Sequence, residues 1–136
     1  EDMEKLDFVE HQDRWVFSDI NAPLLQVVVR RFQLLLDLPH NDTLIQIEFI
    51  ECHVHDAACK HFVSVSNTKS LHTLFDLLRM NVLAITAYKH GELEIAFENE
   101  HRLLCAPDDN YEAWQIQTSA GQRIISTPGG ELAIWG

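Results

Sequence analysis

The sequence predicts an α+β domain dominated by antiparallel sheet, with about eight or nine short strands and one amphipathic helix around residues 68–80. Three observations carry this. Apolar and polar residues alternate over several short runs, most clearly in residues 43–51, where Ile45, Ile47 and Phe49 alternate with Gln46 and Glu48. The turns between many of these runs are too short for the crossover connections that parallel strands require. One segment instead has helical spacing, with Leu71, Leu74, Phe75 and Leu78 at i, i+3, i+4 and i+7.

Taken in order, residues 1–13 are charged and aperiodic and are expected to form a peripheral start to a single domain spanning residues 1–136. Residues 14–20 and 24–38 carry the Val, Leu, Phe and Trp content of strands, separated by Asn21-Ala22-Pro23. A helix over residues 34–38 also fits the composition and would stop at Pro39. Residues 61–66 alternate again and are expected to pair with 43–51 across a loop containing Asp56-Ala57-Ala58. Ser66, Asn67 and Thr68 are all candidate caps for the helix.

A three-stranded meander follows, residues 82–88, 92–97 and 101–105, with turns at Lys89-His90-Gly91 and Asn99-Glu100. Its middle strand places Leu93, Ile95 and Phe97 on one face and Glu92, Glu94, Ala96 and Glu98 on the other. Three more strands are expected over 112–118, 122–126 and 131–135. Trp15, Tyr111, Trp114 and Trp135 are expected mainly in the core, each with its polar edge satisfied nearby.

Composition narrows the function. Ten basic against 21 acidic residues give a formal charge of −11, which opposes nucleic-acid binding and suits a cationic partner. The longest apolar stretches fall short of the roughly 20 residues that span a bilayer. The acidic first residues lack the pattern of a signal peptide, and Cys52, Cys59 and Cys105 suggest no secreted disulfide framework, so a cytoplasmic location is expected.

Soft and borderline metal ligands are packed into Cys52, His53, His55, Cys59 and His61, with Asp56 among them. On a strand His53 and His55 share a face, and a hairpin can return Cys59 or His61 beside them, although the spacing matches no zinc-finger or zinc-ribbon pattern. The expectation is therefore no metal and no cofactor, with those five residues as the candidates if one binds. A Cys–His–acid set can be drawn from Cys52 or Cys59 with His61 and Asp56, but three cysteines and eight histidines permit such sets by chance. With no hydrolase elbow and no phosphate loop, no enzyme is expected.

Seven acids between His90 and Glu112 (Glu92, Glu94, Glu98, Glu100, Asp108, Asp109 and Glu112) meet one base, Arg102, and are the candidate partner-binding residues. Like charges facing each other across strands repel, which a cationic partner would relieve.

The segments Tyr111-Glu112-Ala113-Trp114 and Pro128-Gly129-Gly130-Glu131-Leu132-Ala133-Ile134-Trp135, with the run from Gly91 to Ile116, resemble a bacterial family of small domains of unknown function. Where that family's pattern has an Asp-Gly turn, this chain has Asn99-Glu100. Small acidic domains of this kind are similar to immunity proteins of contact-dependent and other polymorphic toxin systems. The resemblance implies a cytoplasmic protein that binds and blocks a cognate, basic, nuclease-like toxin domain. The competing expectations are a metal-binding protein and a self-associating structural domain.

Overall fold

The computed structural model describes residues 8–31, 33–38, 43–48, 51–64, 67–119 and 121–135. It is mostly antiparallel sheet with one short helical segment, as the sequence predicts, but holds fourteen strands among those residues. The strands are β1 (Val9–Glu10), β2 (Arg14–Phe17), β3 (Ala22–Pro23), β4 (Gln26–Arg30), β5 (Gln33–Leu38), β6 (Thr43–Glu48) and β7 (Glu51–His55). They continue as β8 (Lys60–Ser64), β9 (Asn81–Tyr88), β10 (Leu93–Phe97), β11 (Arg102–Cys105), β12 (Trp114–Gln117), β13 (Arg123–Ser126) and β14 (Leu132–Trp135).

They form two sheets. The first runs β1-β2-β9-β10-β11-β7-β8, with β3 paired to β9 beyond the end of β2; the second runs β14-β13-β12-β6-β5-β4. Phe17, Val54, Ile85, Leu93 and Ile95 from the first join Leu34, Ile45, Trp114, Ile116 and Ile124 from the second in one buried cluster. The sheets thus bury one face each against a common core and leave the other face polar.

One expectation is corrected and one alternative is settled. The run over residues 43–51 is not one strand: β6 belongs to the second sheet and β7 to the first, so the partner of β8 across the Asp56-Ala57-Ala58 turn is β7. Residues 34–38 are strand, paired with both β4 and β6. Residues 8–13 of the segment expected to be peripheral are tied in, with Phe8 buried and its backbone N–H donating to Gln122 Oε1 at 3.0 Å.

The helical segment comprises a 3₁₀ turn (Thr68–Leu71), α1 (His72–Asp76) and a second 3₁₀ turn (Leu77–Arg79). Leu74 and Leu77 are buried and Leu71, Leu78 and Met80 pack against the core, so the predicted stripe holds at Leu71, Leu74 and Leu78, gains Leu77 through the tighter 3₁₀ turns, and loses Phe75, which is exposed. No side-chain cap holds its start at Asn67; the Ser70 hydroxyl instead donates back to the carbonyls of Ser64 and Asn67.

The sheets are locked at one point. The turn between β9 and β10 buries Gly91, whose carbonyl accepts the Trp114 indole N–H at 2.9 Å and the Ser126 hydroxyl at 3.1 Å. Gly91 (φ +110°) and Gly130 (φ +98°) pack backbone to backbone: a Cβ on Gly130 would lie 2.3 Å from the His90 carbonyl oxygen. Gly129, one residue earlier at φ +91°, has nothing within 4 Å of its Cβ position. Replacing each by Ala separates the two effects. Gly129→Ala should cost only the backbone penalty, about 1 kcal/mol, and Gly130→Ala clearly more, at least about 2 kcal/mol, in denaturant unfolding. Equal losses would contradict the close approach.

The β10–β11 turn resolves the departure at Asn99-Glu100. Both residues have φ 61° inside a turn closed by His101 N–H donating to the Glu98 carbonyl at 3.4 Å, and a left-handed position of this kind favours Gly. Glu100→Gly should stabilise the domain by about 0.5–1 kcal/mol, measured as a higher denaturant midpoint at unchanged slope.

Candidate functional site

A groove of about 510 Å³ opens on the outer face of the second sheet, where Gln46 and Glu48 of β6 stand beside Gln115 of β12. Pairing of Trp114 with Ile47, and a bond from Glu48 N–H to the Ala113 carbonyl at 2.9 Å, set this juxtaposition. The loop before β12 supplies the other wall, Asn110, Tyr111 and Glu112. That loop is built on Asp108, whose Oδ1 accepts the N–H groups of Asn110 (2.7 Å) and Tyr111 (3.2 Å), an Asx turn. Its carbonyl accepts from Gly129 N–H at 2.9 Å, which clamps the loop to the Pro128-Gly129-Gly130 turn.

Tyr111 is 54% exposed, and a smaller cavity of about 260 Å³, lined in part by Glu48, Asp108 and Pro107, lies on its other side. Glu48 is held in place: its Oε2 accepts amide N–H groups from Gln33 at 2.9 Å and Gln46 at 2.7 Å. Among the described residues, no Lys or Arg lines either hollow. Arg123 reaches a lining residue, Gln115, at 2.9 Å, and its guanidinium lies 5.6 Å from the Trp135 ring. The site therefore combines fixed negative charge, an exposed aromatic ring and amide groups, a set suited to a guanidinium or ammonium group.

The seven acids singled out in the sequence do not meet on one surface. Glu92 and Glu94 lie on the outer face of the first sheet, with Glu98 and Glu100 toward its β10–β11 turn; Glu112 lines the groove on the second sheet, and Asp108 and Asp109 sit in the loop beside it. Charge on the first face is partly neutralised. Glu94, 17% exposed, accepts from the Tyr88 hydroxyl at 2.8 Å and from Arg102 at 3.4 Å, and Arg14 lies over the Tyr88 ring. Burial and the bond to Glu94 push the Tyr88 phenol up from its ordinary pKa. Sequence reasoning missed Glu48, Gln46 and Gln115, because their approach to Tyr111 depends on the pairing of β6 with β12.

The metal-ligand candidates are divided by the hairpin register. Val54 pairs with His61 and His55 with Lys60, so Asp56, Cys59 and His61 share the core-facing side of the β7–β8 hairpin while His53 and His55 point to the other. Cys52 lies inside the core opposite Cys105, whose thiol is pushed well up by its contact with Cys52 and by burial. His55 Nδ1 is 3.4 Å from the Arg102 guanidinium, and burial, followed by Lys60 and His55, pulls the His53 imidazole down. Asp56, Cys59 and His61 do converge, with ligating atoms within 4.8 Å of one another. Backbone N–H groups of Ala58 and Cys59, then His61, hold the Asp56 carboxyl down at about 2.

Of the four aromatic residues, Trp114 takes the expected buried place with its N–H satisfied, Trp15 is partly buried, and Tyr111 and Trp135 are exposed. No helix among the described residues is long and apolar enough to cross a membrane.

No curated protein and no solved structure matches this chain significantly. A family model does, over residues 17–136, which extends the likeness well upstream of the C-terminal motifs and leaves residues 1–16 outside it: the chain belongs to DUF6188, a family of unknown function.

Proposed function

We propose that this domain is a non-catalytic binding module for a cationic protein partner, acting as a cytoplasmic immunity protein that blocks a basic, nuclease-like toxin domain. The observation that carries the proposal is the groove beside Tyr111, where Glu48 and Glu112 line a hollow that no Lys or Arg among the described residues lines. An Arg or Lys side chain projecting from a partner enters this hollow, stacks on the Tyr111 ring and pairs with the two carboxylates. Because two glutamine amides already hold Glu48, little side-chain freedom is lost when the pair forms. The formal charge of −11 draws a basic partner toward the surface and speeds encounter. Glu92, Glu94, Glu98, Glu100 and Asp109 contribute to this wider field; Asp108 shapes the groove wall.

The test looks for a basic, nuclease-like toxin domain in the gene next to that of this chain and uses it as the partner. Co-expression should rescue growth of cells making the toxin. The double variant Glu48→Gln, Glu112→Gln should bind at least about tenfold more weakly with a flatter salt dependence, since close interfacial charge pairs are worth about 1.5 kcal/mol or more. Glu98→Gln with Glu100→Gln should change affinity by less than about threefold. Unchanged affinity in the groove variant would place the interface elsewhere, and absence of rescue would remove the immunity role.

A further inference from the structure

The tip of the β7–β8 hairpin carries a second constellation, independent of the groove. Asp56 N–H donates to the Cys59 carbonyl at 3.0 Å, closing a turn with Ala57 and Ala58 at its centre. Asp56 Oδ1 accepts the N–H groups of Ala58 at 2.8 Å and Cys59 at 2.7 Å, which fixes the carboxylate and leaves Oδ2 directed at His61 Nε2, 3.0 Å away. With two turn residues between Asp56 and Cys59, the register brings positions 56, 59 and 61 to one side of the hairpin. Among the described residues this is the one group of three or more potential ligands that gathers so closely.

We infer that Asp56, Cys59 and His61 form a binding site for a single divalent transition-metal ion of the zinc class. Three kinds of ligand atom, a carboxylate oxygen, a thiolate sulfur and an imidazole nitrogen, come together, and zinc accepts this set whereas magnesium and calcium reject the sulfur. On a tetrahedral zinc ion with bonds of about 2.0–2.3 Å, ligand atoms lie about 3.3–3.6 Å apart. The Asp56–His61 pair at 3.0 Å is close to that edge, so the ion takes the place of the proton between them, the neutral ring then carrying its proton on Nδ1. Cys59 is exposed and closes in by a side-chain rotation, releasing its thiol proton to solvent as the metal–sulfur bond forms. The backbone N–H groups on Asp56 Oδ1 remain as the outer support that such carboxylates need. The fourth position is left to water or to a donor from a partner protein.

The site is tested with untagged, chelator-treated protein titrated with Co²⁺ and then Zn²⁺. One equivalent of Co²⁺ should bind at micromolar protein and give the intense visible bands of a tetrahedral ion with a near-ultraviolet thiolate charge-transfer band. Zn²⁺ should displace it, and excess Mg²⁺ should not. Cys59→Ser, an exposed and conservative change, should abolish the charge-transfer band and lower affinity at least about tenfold while circular dichroism stays unchanged. His61→Gln should weaken binding likewise, and His53→Gln with His55→Gln, on the opposite face, should leave it intact. Failure of the wild-type chain to bind an equivalent of Co²⁺, an unaltered spectrum in Cys59→Ser, or loss of binding in the His53/His55 variant would each overturn the proposal. None of these readouts involves the groove, so the two proposals stand or fall separately.

Discussion

The buried carbonyl of Gly91 is the joint between the two sheets. A buried carbonyl needs its hydrogen bonds, and here both donors, the Trp114 indole and the Ser126 hydroxyl, come from the opposite sheet. The arrangement requires glycine on both sides of the contact, because the backbone of Gly91 meets that of Gly130 with no room for a Cβ between them. Trp114 is 1% exposed and opens β12, so fixing its ring also fixes where the preceding loop must end. From there the chain of consequence reaches the surface. The Asp108 turn is clamped to the Gly129 N–H beside the same junction, and Tyr111 projects from that turn over the groove. The exposed ring thus stands on a turn held by hydrogen bonds to that junction, the kind of support that lets a surface meet a partner already formed.

Strand parity distributes the rest of the chemistry. In each strand successive side chains take opposite faces, so a residue in this two-layer domain is either in the core or on an outer surface. Leu93, Ile95 and Phe97 are buried while Glu92, Glu94 and Glu98 are not, and the same rule sends Cys52 inward and its neighbour His53 outward. Parity therefore splits both clusters that look contiguous in sequence. The acids of residues 92–112 divide between two surfaces, and the Cys/His run of residues 52–61 divides between two sides of one hairpin.

How much of this is legible in the sequence depends on whether a feature is local. The β9–β11 meander is, because alternation, short polar turns and the three buried residues of β10 all agree, and the match of each predicted strand to an observed one follows. The passage from β6 to β7 is not: Phe49 and Ile50 continue an apolar run without Gly or Pro, so nothing marks the change of sheet. The helical segment is legible as an element, and Leu71, Leu74 and Leu78 meet the core as the α stripe predicts, but its pitch is not legible: the 3₁₀ turns bring Leu77 into the core as well and leave Phe75 exposed. The convergence of Asp56, Cys59 and His61 is recoverable from sequence only by placing Ala57-Ala58 at the centre of the turn, which settles which residues face each other. Glu48 and Glu112 belong to segments far apart in the chain, and only the β6–β12 register joins them.

That last distinction bears on which acidic groups answer to stability and which to a partner. Where carboxylates of this chain face the interior of the meander surface, the chain supplies its own donors: Arg102 and Tyr88 meet Glu94, and Lys89 reaches back to Glu10. Such pairs offset local repulsion and contribute modestly, as exposed ion pairs do. In the groove the donors are neutral amides, which orient Glu48 without cancelling its charge. A carboxylate oriented by neutral amides beside an exposed aromatic ring adds to the self-repulsion of a chain already carrying −11, while its bond from Gln33 helps to hold β5 to β6. On the proposed reading the arrangement becomes favourable when the cancelling charge arrives from outside, and the groove, not the more densely acidic meander, is where the proposed cationic partner would gain most.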